Sequence, residues 1–125
     1  MLNSKQIASS ERHRILLAED MPEFVRLFRY YFKNFEIVHC LNAADAFEQY
    51  QKTPFAAVIT DNDMKVDFGL TLVKKIRAID LDKLIVVYSG DDQTKETYLK
   101  EGANRFFKKN EIKELTDFVL STLPF

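Results

Sequence analysis

The feature that most constrains the fold is a regular alternation between short apolar runs and longer segments with helical spacing. Continuous apolar runs are typical of strands that are covered on both faces of a parallel sheet. Five runs occur, at residues 15–18, 35–38, 55–60, 84–88 and, more weakly, 105–107. We therefore predict an α/β fold, a doubly wound five-stranded parallel sheet with helices on both faces.

The segments between these runs carry the apolar stripes of amphipathic helices. The stripes are Phe24, Val25, Phe28, Tyr31 and Phe32; Ala43, Ala46, Phe47 and Tyr50; Leu72, Val73, Ile76 and Ile79; and Ile112, Leu115, Phe118, Val119 and Leu123. Asn42 is a candidate N-cap of the second helix. The fourth segment, 91–101, is the most polar, with Tyr98 and Leu99 as its main apolar anchors. Gly102 is its predicted C-terminal stop.

Composition narrows the class of protein. The 125 residues are 46% apolar and 30% charged, as in an ordinary soluble domain. Eighteen basic and 19 acidic residues leave a net charge of −1, which argues against a nucleic-acid or anionic-membrane binder. The single cysteine, Cys40, fits a reducing compartment, and no run approaches the roughly 18 apolar residues of a membrane span. We predict a cytoplasmic protein with one domain at residues 13–123, a polar N-terminal extension at 1–12 and a C-terminal end at 124–125.

Polar and charged residues directly follow four of the apolar runs. They are Glu19 and Asp20 after the first run, Asp61 and Asp63 after the third, Ser89 after the fourth and Lys109 after the fifth. In an open α/β sheet, ligands bind at the carboxyl ends of the strands, where these residues meet. Clustered carboxylates repel one another unless a cation lies among them, and Mg²⁺ prefers oxygen ligands together with a phosphate.

A carboxylate beside such a metal can attack phosphorus, and a lysine and a hydroxyl group can stabilise the transferred oxygens. The strand ends therefore predict a phosphoryl-transfer site. The simpler alternative is that acidic residues after strands only cap the next helix, Asp20 at Pro22 and Asp91 in the polar fourth segment.

The order and spacing of these motifs resemble the receiver domain of two-component response regulators over about residues 13–123. The motifs are ILLAED, VITDNDM, VDFG, VVYSG and GANRFFKK. The resemblance implies a flavodoxin-like receiver fold in which Asp61 accepts a phosphoryl group from a sensor histidine kinase or a histidine phosphotransfer protein. Lys109 and Ser89 would be the other catalytic residues. The implied Mg²⁺ ligands are Asp20, Asp61 and the backbone carbonyl of Asp63, with Glu19 acting through water.

The resemblance also implies a conformational switch. Ser89 would move towards the phosphoryl group and Phe106 would turn inward, which changes the last helices and the last strand. A stand-alone receiver of this kind would signal to a downstream protein target, with no direct nucleic-acid or membrane binding. It would be no enzyme beyond its own Mg²⁺-dependent phosphorylation and dephosphorylation, and a homodimer through the Phe106 face is compatible with it.

Four positions depart from the family pattern. Glu19 in place of aspartate is a mild change, and Asp63 adds a third acid beside Asp61 that would bind the metal through water or position the water that hydrolyses the phosphoryl group. Lys65 stands where a proline commonly follows Met64, and Asn110 replaces the proline after Lys109. Because a cis bond before a non-proline residue costs about 2.5–4 kcal/mol, the Lys109–Asn110 bond is either trans, with a shifted lysine, or strained.

These departures leave a second hypothesis open, a degenerate receiver that is not phosphorylated and acts as a binding module. A third is a haloacid-dehalogenase-type phosphatase, whose DxD pair Asp61 and Asp63 resemble. The position of Glu19 and Asp20 in the first strand, and the short chain, argue against it.

Overall fold

Five strands form one sheet in the computed structural model, which describes residues 13–124. They are β1 (Arg14–Ala18), β2 (Glu36–Cys40), β3 (Ala57–Asp61), β4 (Leu84–Ser89) and β5 (Arg105–Lys108). Their spatial order is β2-β1-β3-β4-β5, and every neighbouring pair is parallel. The predicted parallel sheet is confirmed. The predicted extension at residues 1–12 lies outside the described residues.

Helices follow each strand. They are α1 (Pro22–Tyr31), α2 (Ala43–Lys52), α3 (Gly69–Arg77), α4 (Lys95–Lys100) and α5 (Ile112–Thr122), with a 3₁₀ turn (Lys109–Glu111) before the last. Within residues 13–124, no helix has the length and apolar character needed to cross a membrane.

The sheet divides the core into two layers, because successive strand residues point to opposite faces. Ile15 and Leu17 of β1 belong to the layer shared with α1 and α5. Leu16 and Ala18 belong to the layer shared with α2, α3 and α4. Helices therefore cover both faces, as predicted for a doubly wound sheet.

Several local predictions can be compared with the structure. Asn42 caps α2, because its Oδ1 accepts the Asp45 N–H at 2.8 Å, as predicted. Ile79 was wrong as a member of the third stripe: α3 ends at Arg77, and Ile79 lies beyond it with 61% of its surface exposed. Within the predicted fourth segment, α4 is only six residues long, and Leu99 is 36% exposed while Tyr98 is buried.

The capping roles considered for Asp20 and Asp91 are wrong. Residue Met21 is the N-cap of α1, and Asp20 Oδ2 instead accepts the N–H of Lys65 at 2.8 Å. Asp91 Oδ1 accepts the N–H of Gln93 at 3.0 Å within the turn that precedes α4. Asp20 is thereby left at the strand end, facing the loop that follows β3.

One arginine ties together the edge of the sheet opposite these acidic residues. The Arg77 guanidinium donates to the carbonyls of Gly102 at 2.8 Å and Lys83 at 2.7 Å, and to Asn104 Oδ1 at 3.0 Å. Gly102 ends α4 at a φ of +114°, which favours glycine and confirms its predicted role.

Candidate functional site

Three carboxylates meet at the carboxyl ends of β1 and β3. Glu19, Asp20 and Asp61 each offer an oxygen, and these atoms lie within 4.8 Å of one another. Glu19 and Asp61 reach this position because each continues the apolar row of its strand onto the same face of the sheet, and β1 pairs with β3. The structure thus brings together three of the four predicted metal-binding carboxylates.

The fourth, Asp63, has an exposed side chain that is not part of this carboxylate cluster. It pairs with Phe68 across the loop between β3 and α3. The same loop is closed by the N–H of Gly69, which donates to the carbonyl of Asn62 at 3.0 Å. Asp63 nevertheless lines the groove beside Asp20, so its predicted role in metal binding stays a prediction.

Asp61 is buried at the end of β3 and forms an ion pair with Lys109. Its side chain is 1% exposed, and its Oδ2 lies 3.4 Å from Nζ of Lys109. Within the described chain neither carboxylate oxygen has a hydrogen bond of good geometry, although the N–H groups of Asp63 and Asn62 lie close enough to favour the charged form. Burial raises the pKa of Asp61, and the charge of Lys109 opposes this rise. A buried carboxylate without well-formed hydrogen bonds is costly, so this site favours a bound cation.

The donor set fits the ion that the sequence predicts. Only carboxylate oxygens form the cluster, and oxygen ligands with room for water are what Mg²⁺ prefers. A groove of about 520 Å³ between the loops after β1 and β3 opens beside Asp20. The carboxylate cluster therefore fits Mg²⁺ with bound water, and Asp20 and Asp63 both line the groove beside it.

Lys109 reaches Asp61 without a proline after it. All peptide bonds among residues 13–124 are trans, so the Lys109–Asn110 bond is trans. The 3₁₀ turn begins at Lys109 and is closed by Glu111, whose Oε1 accepts the N–H of Lys108 at 2.8 Å. The Lys109 ammonium also lies 4.8 Å above the ring of Phe24, a cation–π contact that helps to hold it.

Sequence reasoning missed the residue that holds Glu19. Glu19 is fully buried, its Oε2 accepts the N–H of Met21 at 3.0 Å, and the hydroxyl of Tyr88 donates to its Oε1. Burial is the largest cause of a rise in the Glu19 pKa from 4.5 to about 7, with a contribution from the charge of Asp61 and an opposing one from Tyr88. A tyrosine inside an apolar strand gives little signal, since its partner depends on strand order.

A second missed contact joins α4 to the residue after Asp61. The Tyr98 hydroxyl donates to Oδ1 of Asn62 at 2.5 Å. The ring of Tyr98 packs against Phe106, with centroids 5.9 Å apart. Tyr98 therefore lies between the end of β3 and the predicted switch aromatic.

The two predicted switch residues are both buried. Ser89 is 5% exposed at the end of β4, one position beyond Tyr88, which pairs with Asp61 across the sheet. Its Oγ accepts the N–H of Asp91 at a long 3.5 Å. Phe106 is 8% exposed and lies in the core layer beneath α4.

Asp67 is a further residue that the sequence analysis missed. Its carboxylate accepts the N–H groups of Ala43 at 2.8 and 3.0 Å and of Ala44 at 3.2 Å. A carboxylate at a helix N-terminus satisfies free N–H groups and complements the helix dipole. Asp67 thereby anchors the loop after β3 to the start of α2.

Comparison with known proteins is consistent with this geometry. The family model described as "Response regulator receiver domain" matches residues 15–119. A response regulator receiver protein, CpdR of Brucella abortus (strain 2308), is 33% identical over 79 residues, which are 62% of this chain and 66% of that protein. The match thus spans just under two thirds of that relative.

Solved structures share the fold. The receiver domain of the TMAO respiratory system response regulator TorR is 23% identical with a TM-score of 0.78, and the alignment covers 87% of this chain and 94% of that one. The response regulator TrrA of Thermotoga maritima, solved in complex with Mg²⁺-BeF, is 22% identical with a TM-score of 0.74, covering 85% and 97%. At these identities the likeness concerns the fold.

Proposed function

The chain belongs to the response regulator receiver family, and from that premise we propose that it accepts a phosphoryl group on Asp61 from a histidine kinase or a histidine phosphotransfer protein. The observation that carries this proposal is the Asp61 carboxylate itself. It is 1% exposed, has no hydrogen bond of good geometry from the described residues, and lies close to one lysine and two further carboxylates. Such a carboxylate is available to bind a cation and to accept a phosphoryl group.

Each side chain at the strand ends has a place in this reaction. An Asp61 oxygen attacks phosphorus, the bond to the donor imidazole nitrogen breaks, and the phosphoryl group remains on Asp61. Lys109, already 3.4 Å from Asp61, pairs with the charge on the transferred oxygens. Ser89 at the end of β4 donates its hydroxyl to one of these oxygens.

Mg²⁺ would be held by Asp20, Asp61 and the backbone carbonyl of Asp63, with Glu19 acting through water. When bound, the ion neutralises charge on the phosphoryl oxygens. Lys65 supports this arrangement, because its N–H fixes Asp20 Oδ2 at 2.8 Å.

The output of the switch would pass through α4 and β5. In α4 only Tyr98 is buried, so this helix has the least packing to rearrange among the helices of the sheet. Movement of Ser89 towards the phosphoryl group would displace the turn that leads to α4, and Phe106 packs directly against Tyr98. The rearranged face would bind a downstream protein or a second copy of the chain.

A protein rather than a small molecule is the proposed phosphodonor. Four exposed apolar side chains lie on the loops at the carboxyl edge of the sheet: Met21, Leu41, Val66 and Phe68. Apolar side chains grouped around a polar site are typical of protein-binding surfaces.

Phosphorylation can be tested by intact-mass measurement after incubation with acetyl phosphate and Mg²⁺. We expect one added phosphoryl group on the wild type and none on Asp61→Asn. Asp63→Asn is the matched control, because its exposed carboxylate is not part of the cluster, and it should still be labelled. Labelling of Asp61→Asn would place the acceptor elsewhere.

A wild type that gains no mass would be tested with beryllofluoride and Mg²⁺, the pair with which TrrA was solved in complex. Binding of the analogue would indicate rapid hydrolysis or a donor-selective site. Failure to bind either the analogue or Mg²⁺ would favour the degenerate receiver, a binding module without phosphorylation.

A further inference from the structure

The side chain of Glu19 is held by two protein donors before any metal arrives. One oxygen accepts the N–H of Met21 at 3.0 Å, and the other accepts the hydroxyl of Tyr88. Each carboxylate oxygen offers two acceptor sites, so both oxygens already use one of them. The plane of the carboxylate is therefore fixed, and the group is not free to turn towards an ion.

Tyr88 is itself rigid. It is fully buried on β4, next to Asp61 in the register of the sheet, and its carbonyl accepts the N–H of Asn62 at 3.0 Å. The ring packs against Phe28 and Phe24, with centroids 5.1 and 6.0 Å away. The hydroxyl therefore has little freedom to follow Glu19 if the carboxylate rotates.

A fixed carboxylate discriminates between divalent ions. Ca²⁺ takes six to eight oxygen ligands in flexible geometry and often binds one carboxylate through both oxygens. Mg²⁺ requires a near-ideal octahedron and retains several waters, so it is satisfied by carboxylates that each offer a single oxygen or act through water.

We propose that Tyr88 is a positioning residue that makes the metal site selective for Mg²⁺ over Ca²⁺, by holding Glu19 so that it cannot bind one ion through both oxygens. This inference rests on the proposed receiver function and its metal site. Tyr88 acts through Glu19 and makes no contact with the ion.

The test is calorimetric titration of the metal-free protein with MgCl₂ and, separately, with CaCl₂, at constant ionic strength. The quantity compared is the ratio of the Ca²⁺ dissociation constant to the Mg²⁺ dissociation constant. Both titrations are run in the same buffer at a pH well above the Glu19 pKa of about 7, so that this carboxylate is ionised with either ion. In Tyr88→Phe we expect the ratio to fall about tenfold, the lower end of what outer contacts to metal ligands are worth.

Tyr50→Phe is the matched control. This variant also loses a hydroxyl that donates to a carboxylate, since the Tyr50 hydroxyl donates to Asp80 at 2.7 Å. That pair lies at the opposite edge of the sheet, so the ratio of dissociation constants should equal that of the wild type. A ratio in Tyr88→Phe within twofold of the wild-type ratio would overturn the inference. A wild type that binds no Mg²⁺ would instead overturn the metal site of the proposed function, so the two failures are distinguishable.

A second variant covers the case in which Tyr88→Phe does not fold. Phe28→Leu keeps the hydroxyl but removes one of the rings that hold Tyr88 in place. We expect the ratio to fall in the same direction but by less, and an unchanged ratio would count against the inference. In a Glu19→Gln background, Tyr88→Phe should leave the ratio unchanged, because the group through which it acts has lost its charge. A fall in that background would show that Tyr88 acts by another route.

Discussion

Gly69 offers a direct test of how tightly the phosphoacceptor strand is packed. It is the first residue of α3 and lies against the end of β3. A Cβ added at this position would lie 2.3 Å from the carbonyl oxygen of Asp61 and 2.8 Å from Oγ1 of Thr60, whereas ordinary contacts begin at 3.4 Å. In Gly69→Ala the helix or the strand end must therefore move by about 1 Å to reach an ordinary contact.

The magnitude follows from two opposing effects. Overpacking against the backbone lowers the free energy of unfolding by about 1–3 kcal/mol. Replacing glycine with alanine reduces the conformational freedom of the unfolded chain, which raises the free energy of unfolding by about 0.4–1 kcal/mol. We expect the free energy of unfolding to fall by about 1–2 kcal/mol. The crowded oxygen is the backbone carbonyl of Asp61, so relief of the contact shifts the strand end that carries the acceptor carboxylate, and the labelling rate should fall. A shift of about 1 Å in the carboxylate itself would cost about 100-fold.

The assay combines urea unfolding with the rate of labelling by acetyl phosphate. Gly90→Ala is the matched control, because a Cβ there meets no atom within 4 Å and should leave stability unchanged or slightly increased. If Gly69→Ala is as stable as Gly90→Ala and is labelled at the same rate, the argument from close packing is refuted.

Three further predictions concern Arg77, Asp67 and Glu19. Arg77→Met removes the hydrogen bonds that tie α3 to the loops before β4 and β5. Because the Arg77 side chain is partly open to water, we expect urea unfolding to show a loss of about 2–3 kcal/mol in the free energy of unfolding. Lys113→Met, which breaks only an exposed pair within α5, should cost less than about 0.5 kcal/mol; equal losses would contradict the reasoning. Asp67→Ala should cost about 1 kcal/mol and speed hydrogen exchange at the Ala43 amide, and unchanged exchange would refute the capping role. The Glu19 pKa of about 7 in the folded protein lies above its unfolded value of 4.5, so the folded state binds more protons between these two pH values. In metal-free buffer the free energy of unfolding should therefore fall as the pH rises from about 4.5 to 7. The contribution is about 3 kcal/mol, and urea unfolding of Glu19→Gln should show a correspondingly flatter pH dependence.

The strands were predicted closely because their signal is local. The apolar runs at 15–18 and 84–88 lie within β1 and β4, which extend one residue beyond them. The helix ends were predicted less well. The apolar stripe of α3 was extended to Ile79, although the chain leaves the helix at Arg77, whose side chain bonds to the following loops.

Part of the candidate site was also predicted from local signals in the sequence. Glu19, Asp20 and Asp61 follow apolar runs, and the ends of parallel strands must share an edge. The capping roles considered for Asp20 and Asp91 were wrong because the choice between a helix cap and a loop contact depends on the neighbouring loop. For Asp20 that neighbour is Lys65, 45 residues away in the chain.

The sequence by itself determined the fold class, the approximate strands and the edge at which the acidic residues collect, since hydrophobic periodicity and strand ends are properties of short segments. Only the tertiary structure decided which side chains meet across the sheet. β3 lies between β1 and β4, and this order places Tyr88 against Glu19 over 69 residues of chain. It likewise joins Tyr98 to Asn62 over 36 residues. Such pairs depend on strand order and register, which no local pattern of residues encodes.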